Sequence, residues 1–158
     1  MTQAQKTPPV VKVTMLIRKP VAEVFNAFVD PNITTQFWFN RASGALNQGA
    51  TVTWFWDHYG VSAQVKVVTL DTNRRLVIEW PARAQWDFEA RADGTTFVTI
   101  TASGFEGTLQ EQYQQALDQT EGFNLVIAAC KAWLEFGVRL NVVADKAPDF
   151  KAAPLHLQ

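Results

Sequence analysis

Few residues in this chain are able to move a proton, attack a bond or hold a metal. They are two histidines, one cysteine and a scatter of carboxylates. His58 has a side chain that titrates near neutrality, so it is the natural candidate for a general base. Asp57 stands beside it, but neighbouring residues on a strand point to opposite faces, so Asp57 does not orient His58 within one pocket. A polar contact to a bound molecule is the better reading of His58. Its convergence with Glu106 or Asn141 around one void would instead favour an enzyme. Cys130 falls on an apolar helix face, where a thiol is inert packing. Glu106 reads as a solvated loop carboxylate. Asn141 sits about 160° from Arg139 at roughly 100° per residue, and it reads as a cap for a fraying helix end. His156 is remote from His58, and with one Cys the pair offers no zinc spacing. No phosphate loop, nucleophile elbow or metal-binding helix motif occurs. We therefore assign no catalytic residue, no metal and no cofactor.

The chemistry that is plentiful is aromatic. The chain holds eleven Phe, six Trp and two Tyr. Trp54, Trp56 and His58 share one face of an expected strand over Thr51–Tyr59, with Phe55, Asp57 and Tyr59 on the other. Leu76, Ile78 and Trp80 alternate in a second strand, and Trp86, Phe88 and Ala90 in a third. Such a sheet has one wet face and one covered face. Trp38 lies in the Phe37-Trp38-Phe39 run. Ligand sites are mostly apolar and aromatic with few polar groups, although plain core packing is the commoner fate of such side chains.

These strands need something to cover them. Val10–Lys19 reads as strand 1. Pro20 at a helix N1 position, then Val21, Val24, Phe25 and Phe28, mark a helical face. Asp30-Pro31 stops that helix and starts a short second one. From Ser43 to Ser103 the period is two, with turns at Gly60, Asp71-Thr72-Asn73 and Asp93-Gly94, which is an antiparallel meander. A short helix is expected near Leu109–Leu117, and a long one over Thr120–Val143. In the long helix Glu121, Asn124, Lys131, Glu135 and Arg139 fall in one stripe roughly 80° wide, and nearly everything else is apolar. Lys131, Glu135 and Arg139 read as a solvated ladder. Opposite the stripe lie Gly122, Val126, Ala129, Cys130, Trp133, Gly137 and Leu140. A helix so widely apolar requires a sheet that curves around it. The expected fold is α+β: a curved antiparallel sheet wrapped around a long C-terminal helix, with two short helices after strand 1, a helix-grip. One domain spans 10–144, with flexible tails at 1–9 and 145–158.

Composition removes several function classes. The chain has 158 residues and a formal charge of −1 with no run of like charge. That argues against a nucleic-acid footprint or a polybasic membrane surface. The last helix is broken by charges and is no membrane span. A lone cysteine and the lack of an apolar leader point to the cytoplasm.

The order of motifs is similar to a known superfamily. Pro20-Val21-Ala22-Glu23-Val24-Phe25, Asp30-Pro31 and Phe37-Trp38-Phe39 resemble the opening of START-like (SRPBCC) domains, in the branch named after the activator of the heat-shock ATPase. Arg75–Trp80 resembles its middle strand, and Thr96–Thr101 with Gly104-Phe105 its last strand. Glu121-Gly122-Phe123 and Lys131–Glu135 resemble its final helix, with Phe123 where Trp is commoner. The resemblance implies an apolar cavity between sheet and helix. It also implies members that carry lipids or hormones, cyclise polyketides or bind a chaperone, with no shared catalytic signature. Fold alone assigns no activity. The expected lining is Trp38, Trp54, Trp56, His58, Trp80, Trp86 and Phe88 from the sheet side, with Val126 and Trp133 from the helix. The expected partner is a small apolar molecule, with a cyclase or hydrolase as alternative. A further alternative is an interaction module or homodimer using the outward Phe55 and Tyr59, or an edge strand.

Overall fold

The computed structural model describes residues 7–150. Of the tails expected at 1–9 and 145–158, residues 1–6 and 151–158, His156 included, lie outside the described residues. Strand β1 (Val11–Ile17) leads into helix α1 (Val21–Val29) and the short α2 (Pro31–Thr34). Then come β2 (Arg41–Ala42), β3 (Thr51–Trp56), β4 (Val61–Asp71), β5 (Arg75–Trp80), β6 (Ala82–Ala90) and β7 (Thr96–Ser103). Helix α3 (Leu109–Phe136) and a single turn, α4 (Val142–Asp145), complete the order. The strands form one antiparallel sheet in the order β1-β7-β6-β5-β4-β3-β2. This is the helix-grip architecture expected from the sequence.

The junctions follow from local chemistry. Asp30 caps α2 by accepting from the Asn32 amide at 2.9 Å, with Pro31 at the first helical position. Strand β3 is shorter than expected. Asp57–Tyr59 leave the ladder as a 3-10 turn, closed by left-handed Gly60 at φ 63°. The departure is held by the Asn40 carboxamide, which accepts from the Asp57 amide at 2.6 Å, and by Arg41, which pairs with the Asp57 carboxylate at 2.9 Å. His58 therefore does not continue the Trp54–Trp56 face. The link expected over Pro81–Ala84 shrinks to Pro81, because Trp80 pairs directly with Ala82.

The two expected C-terminal helices are one. Thr108 and Glu111 form a reciprocal capping box, and nothing between Leu117 and Thr120 breaks the helical ladder. At its far end Gly137 turns left-handed at φ 65°, and its amide donates to the Trp133 carbonyl at 2.9 Å. The helix thus stops short of Val143. Gly137 and Leu140, expected on its buried face, lie beyond it and are exposed.

Across 121–136 only Glu121, Asn124 and Phe136 are exposed, so the narrow polar stripe is real. Part of it is not solvated, however. Lys131 donates to the Leu16 carbonyl of β1 at 2.8 Å and to Glu135 at 2.6 Å. The Glu135 carboxylate, 8% exposed, also accepts from the Arg18 amide at 2.7 Å. This pair fastens α3 to the sheet's edge strand. Among the described residues no helix is long and apolar enough to cross a membrane.

Burial alone would push the Glu135 pKa up. The bonds from Arg18 and Lys131 outweigh it and hold the carboxyl below its ordinary value. A lowered folded-state pKa contributes stability that is complete above the unfolded value and is lost as pH falls through the folded one. Glu135→Gln is expected to cost about 1–3 kcal/mol at neutral pH in urea unfolding. The gap from wild type should narrow in acid below about pH 4, and a gap constant with pH would contradict this role. Thr108→Ala, which removes the cap, should cost about 0.5–2 kcal/mol by the same measurement.

Candidate functional site

The concave side of the sheet is packed with rings, and Trp38 is their hub. The α2–β2 segment delivers it against Trp54 (4.9 Å between centroids), Trp80 (5.6 Å), Trp86 and Phe123 (both 6.1 Å). Phe39 stacks on Trp54 at 4.5 Å, and Trp56 stacks on Trp80 at 5.4 Å, with planes 10° apart in the second pair. A second group, Phe25, Phe28 and Phe88, joins α1 to β6, with Phe25 edge-on to Phe88 at 5.2 Å. Such pairs add about 0.5–1.5 kcal/mol each beyond their burial.

The rings do not fill the space beneath α3. A half-open cleft of about 390 Å³ remains between the helix and the β3–β5 end of the sheet. That volume lies within the roughly 300–1,000 Å³ range of small-molecule sites. The sheet side contributes Trp38, Trp56, Trp80, Tyr59 and Ala63. The helix contributes Gly122, Phe123 and Val126, with Asp118 and Gln119 at one end. A Cβ built on Gly122 would meet nothing within 4 Å, so this glycine leaves open space. The Gln119 side-chain oxygen is buried without a hydrogen-bond partner among the described residues.

The segment after the helix supplies the last wall. Val143 and Lys146 reach the cleft. The Tyr59 hydroxyl donates to the Val143 carbonyl at 2.5 Å, and His58 Nε2 lies 2.8 Å from the Ala147 carbonyl. A carbonyl only accepts, so Nε2 carries the proton. Lys146 pairs with Glu121 on α3, and Phe150 packs on Tyr59 at 4.8 Å. The stretch expected as a loose tail from Asp145 is thus docked as far as Phe150.

A second, smaller void of about 60 Å³ lies on the other side of Tyr59 and Val143. His58, Asn40, Asn141 and Arg139 line it, so His58 and Asn141 do share one void. Glu106 does not line it. Asn141 is not a cap for α3. It takes a left-handed φ of 57° and opens α4 without a side-chain capping bond.

Of the expected lining residues, Trp38, Trp56, Trp80 and Val126 meet at the cleft, and His58 at the smaller void. Trp54, Trp86 and Phe88 line neither, because other rings cover them and they are buried one layer below. Trp133 is half-buried against the core away from the cleft. Phe123 was legible, being three residues before Val126 on the same helical face. Tyr59, Val143 and Lys146 carried no such signal. The outward aromatic patch expected from Phe55 and Tyr59 does not exist. The Arg41 guanidinium sits 4.3 Å over the Phe55 ring, and Tyr59 turns toward the cleft. Cys130 is fully buried, and burial pushes its thiol pKa far up, as expected for inert packing.

Several solved structures share this architecture. A crystal structure of a Staphylococcus saprophyticus protein is 28% identical, with a TM-score of 0.75, over 84% of this chain and 96% of that one. DynU16, a protein in the dynemicin biosynthetic locus, is 21% identical with a TM-score of 0.71, over 82% of this chain and 48% of its own. The Aha1 dimer from Colwellia psychrerythraea, solved in solution, is 18% identical with a TM-score of 0.71, over 82% of this chain and 98% of that one. Among curated proteins no sequence matches. The family described as "Activator of Hsp90 ATPase homolog 1-like protein" matches residues 18–135, and with the fold in agreement the chain belongs to that family.

Proposed function

We propose that this protein binds a small apolar or aromatic molecule in the cleft under α3. The observation that carries the reading is the cleft itself, about 390 Å³ walled by Trp38, Trp56, Trp80 and Phe123, with Gly122 leaving room where a side chain would stand. Burying apolar area there is worth about 25 cal/mol per Å². The mechanism is sequestration or carriage: aromatic walls take the body of the guest out of water.

A cyclase or hydrolase is the second reading, and the void shared by His58 and Asn141 is what favours it. It ranks lower because no carboxylate stands with His58 in that void: Glu106 does not line it, and Asp57 is paired with Arg41. Acid–base chemistry needs several polar groups converging on one bound molecule.

Two measurements test the binding reading. Tryptophan fluorescence should change saturably on titration with a naphthalene-sized apolar probe, because Trp56 and Trp80 face the cleft. Gly122→Leu should fill the cleft and weaken that probe by about tenfold or more, equivalent to roughly 1.4 kcal/mol. The variant should remain folded, because the space is open and leucine favours helix over glycine. Undiminished probe binding by a folded Gly122→Leu protein would place the guest elsewhere.

A further inference from the structure

The two voids have a common partition, and their chemistry is opposite. Trp38, Trp56, Tyr59 and Val143 line both. On one side lies the tryptophan cleft. On the other, the residues facing the small void include no aspartate or glutamate, and the one fixed charge among them is Arg139. Arg139 is exposed at the rim and makes two long contacts, 3.4 Å to the Gln36 side-chain oxygen and 3.3 Å to the Thr35 carbonyl. It pairs with no carboxylate among the described residues. A guanidinium has five N–H donors, so most of them are uncommitted. The Asn141 carboxamide beside it makes no capping bond. Lys146, the cation on the cleft side, is by contrast already paired with Glu121. Asp57, the nearest carboxylate in sequence to His58, is taken by Arg41.

We propose that the guest is amphipathic: an aromatic or other apolar body in the tryptophan cleft, and a carboxylate in the small void against Arg139. This rests on the binding reading above and adds the chemical class of the ligand. Within that partition the Tyr59 hydroxyl bonds the Val143 carbonyl. The proposal requires the Tyr59 ring to turn and give up that bond, so that the two spaces join. The small void suits the head group in size as well, since its 60 Å³ compares with about 10–15 Å³ for a single water. Arg139 is anchored on the residues that end α2, so the charge sits on the same rigid unit that delivers Trp38.

Calorimetric titration of 1-naphthaleneacetate against 2-(1-naphthyl)ethanol tests this, since the two share a ring system and differ in the charged head. At low salt the wild-type protein should bind the acid about fivefold more tightly than the alcohol, the scale of one exposed ion pair. High salt should erode that preference. Arg139→Gln should abolish the preference, bringing the acid to the affinity of the alcohol, and Lys12→Gln, exposed on β1 and lining neither void, should leave the preference intact. Equal binding of acid and alcohol by the wild type would overturn the carboxylate assignment and leave the cleft reading standing. So would a preference that survives Arg139→Gln or falls with Lys12→Gln. Failure of both compounds to bind would overturn the cleft reading, and this one with it.

Discussion

One helix is too narrow to fill the hollow of a seven-stranded sheet, and the rest of the molecule follows from that mismatch. A helix with its side chains is about 10–12 Å across. The sheet, with strands about 4.8 Å apart, offers a concave face several times wider. The space beside α3 must hold side chains of large volume or stay partly empty. At the α1 end Phe25, Phe28 and Phe88 fill it, with Trp86 buried at their margin. At the β3–β5 end Trp38, Trp54, Trp56 and Trp80 fill part of it and leave the cleft. The same mismatch explains why so much of α3 from Glu121 onward is apolar, and why its few charges serve as fasteners. Lys131 and Glu135 hold the helix to β1 at the opposite edge, so the cleft side need not be tightly closed.

How much of this was legible before the structure depends on how local the cause is. The meander was readable because alternation and turn residues are local signals, and β5 agrees with it to the residue and β7 to within one. The helix-grip was readable because the polar stripe of α3 is narrow. The helix bounds were not. In the sequence Gly137 reads as one more small residue on a helical face, whereas in the left-handed conformation it ends the helix. The start of the helix is written in the Thr108–Glu111 capping box, and from there the helix runs unbroken through Leu117.

The site was legible in part for a related reason. Strand alternation shows which residues face inward, and Trp54, Trp56, Trp86 and Phe88 all do. Alternation does not distinguish a buried ring from one at the surface of a cavity. Trp54 lies beneath Phe39, whereas Trp80 is stacked on Trp56 at the cleft wall. That distinction depends on what crosses above the strand, which is long-range information. His58 shows the same limit. Its placement is set by Asn40 and Arg41, which pull Asp57 out of the ladder, and no two-residue period records that.

The wall made by Val143 and Lys146 lies past residue 135, where the match to the family ends. It is attached to the domain by a few contacts, from Tyr59, His58 and Glu121, and contributes little to the deep core. Substitutions in such a segment reshape the cleft at small cost to folding, since surface connections tolerate change far better than packed interiors. The domain therefore separates what must stay fixed from what is free to diverge. The aromatic body of the cleft is built into the fold, and its outer wall is a part that evolution can exchange, so one scaffold can carry clefts of different shape.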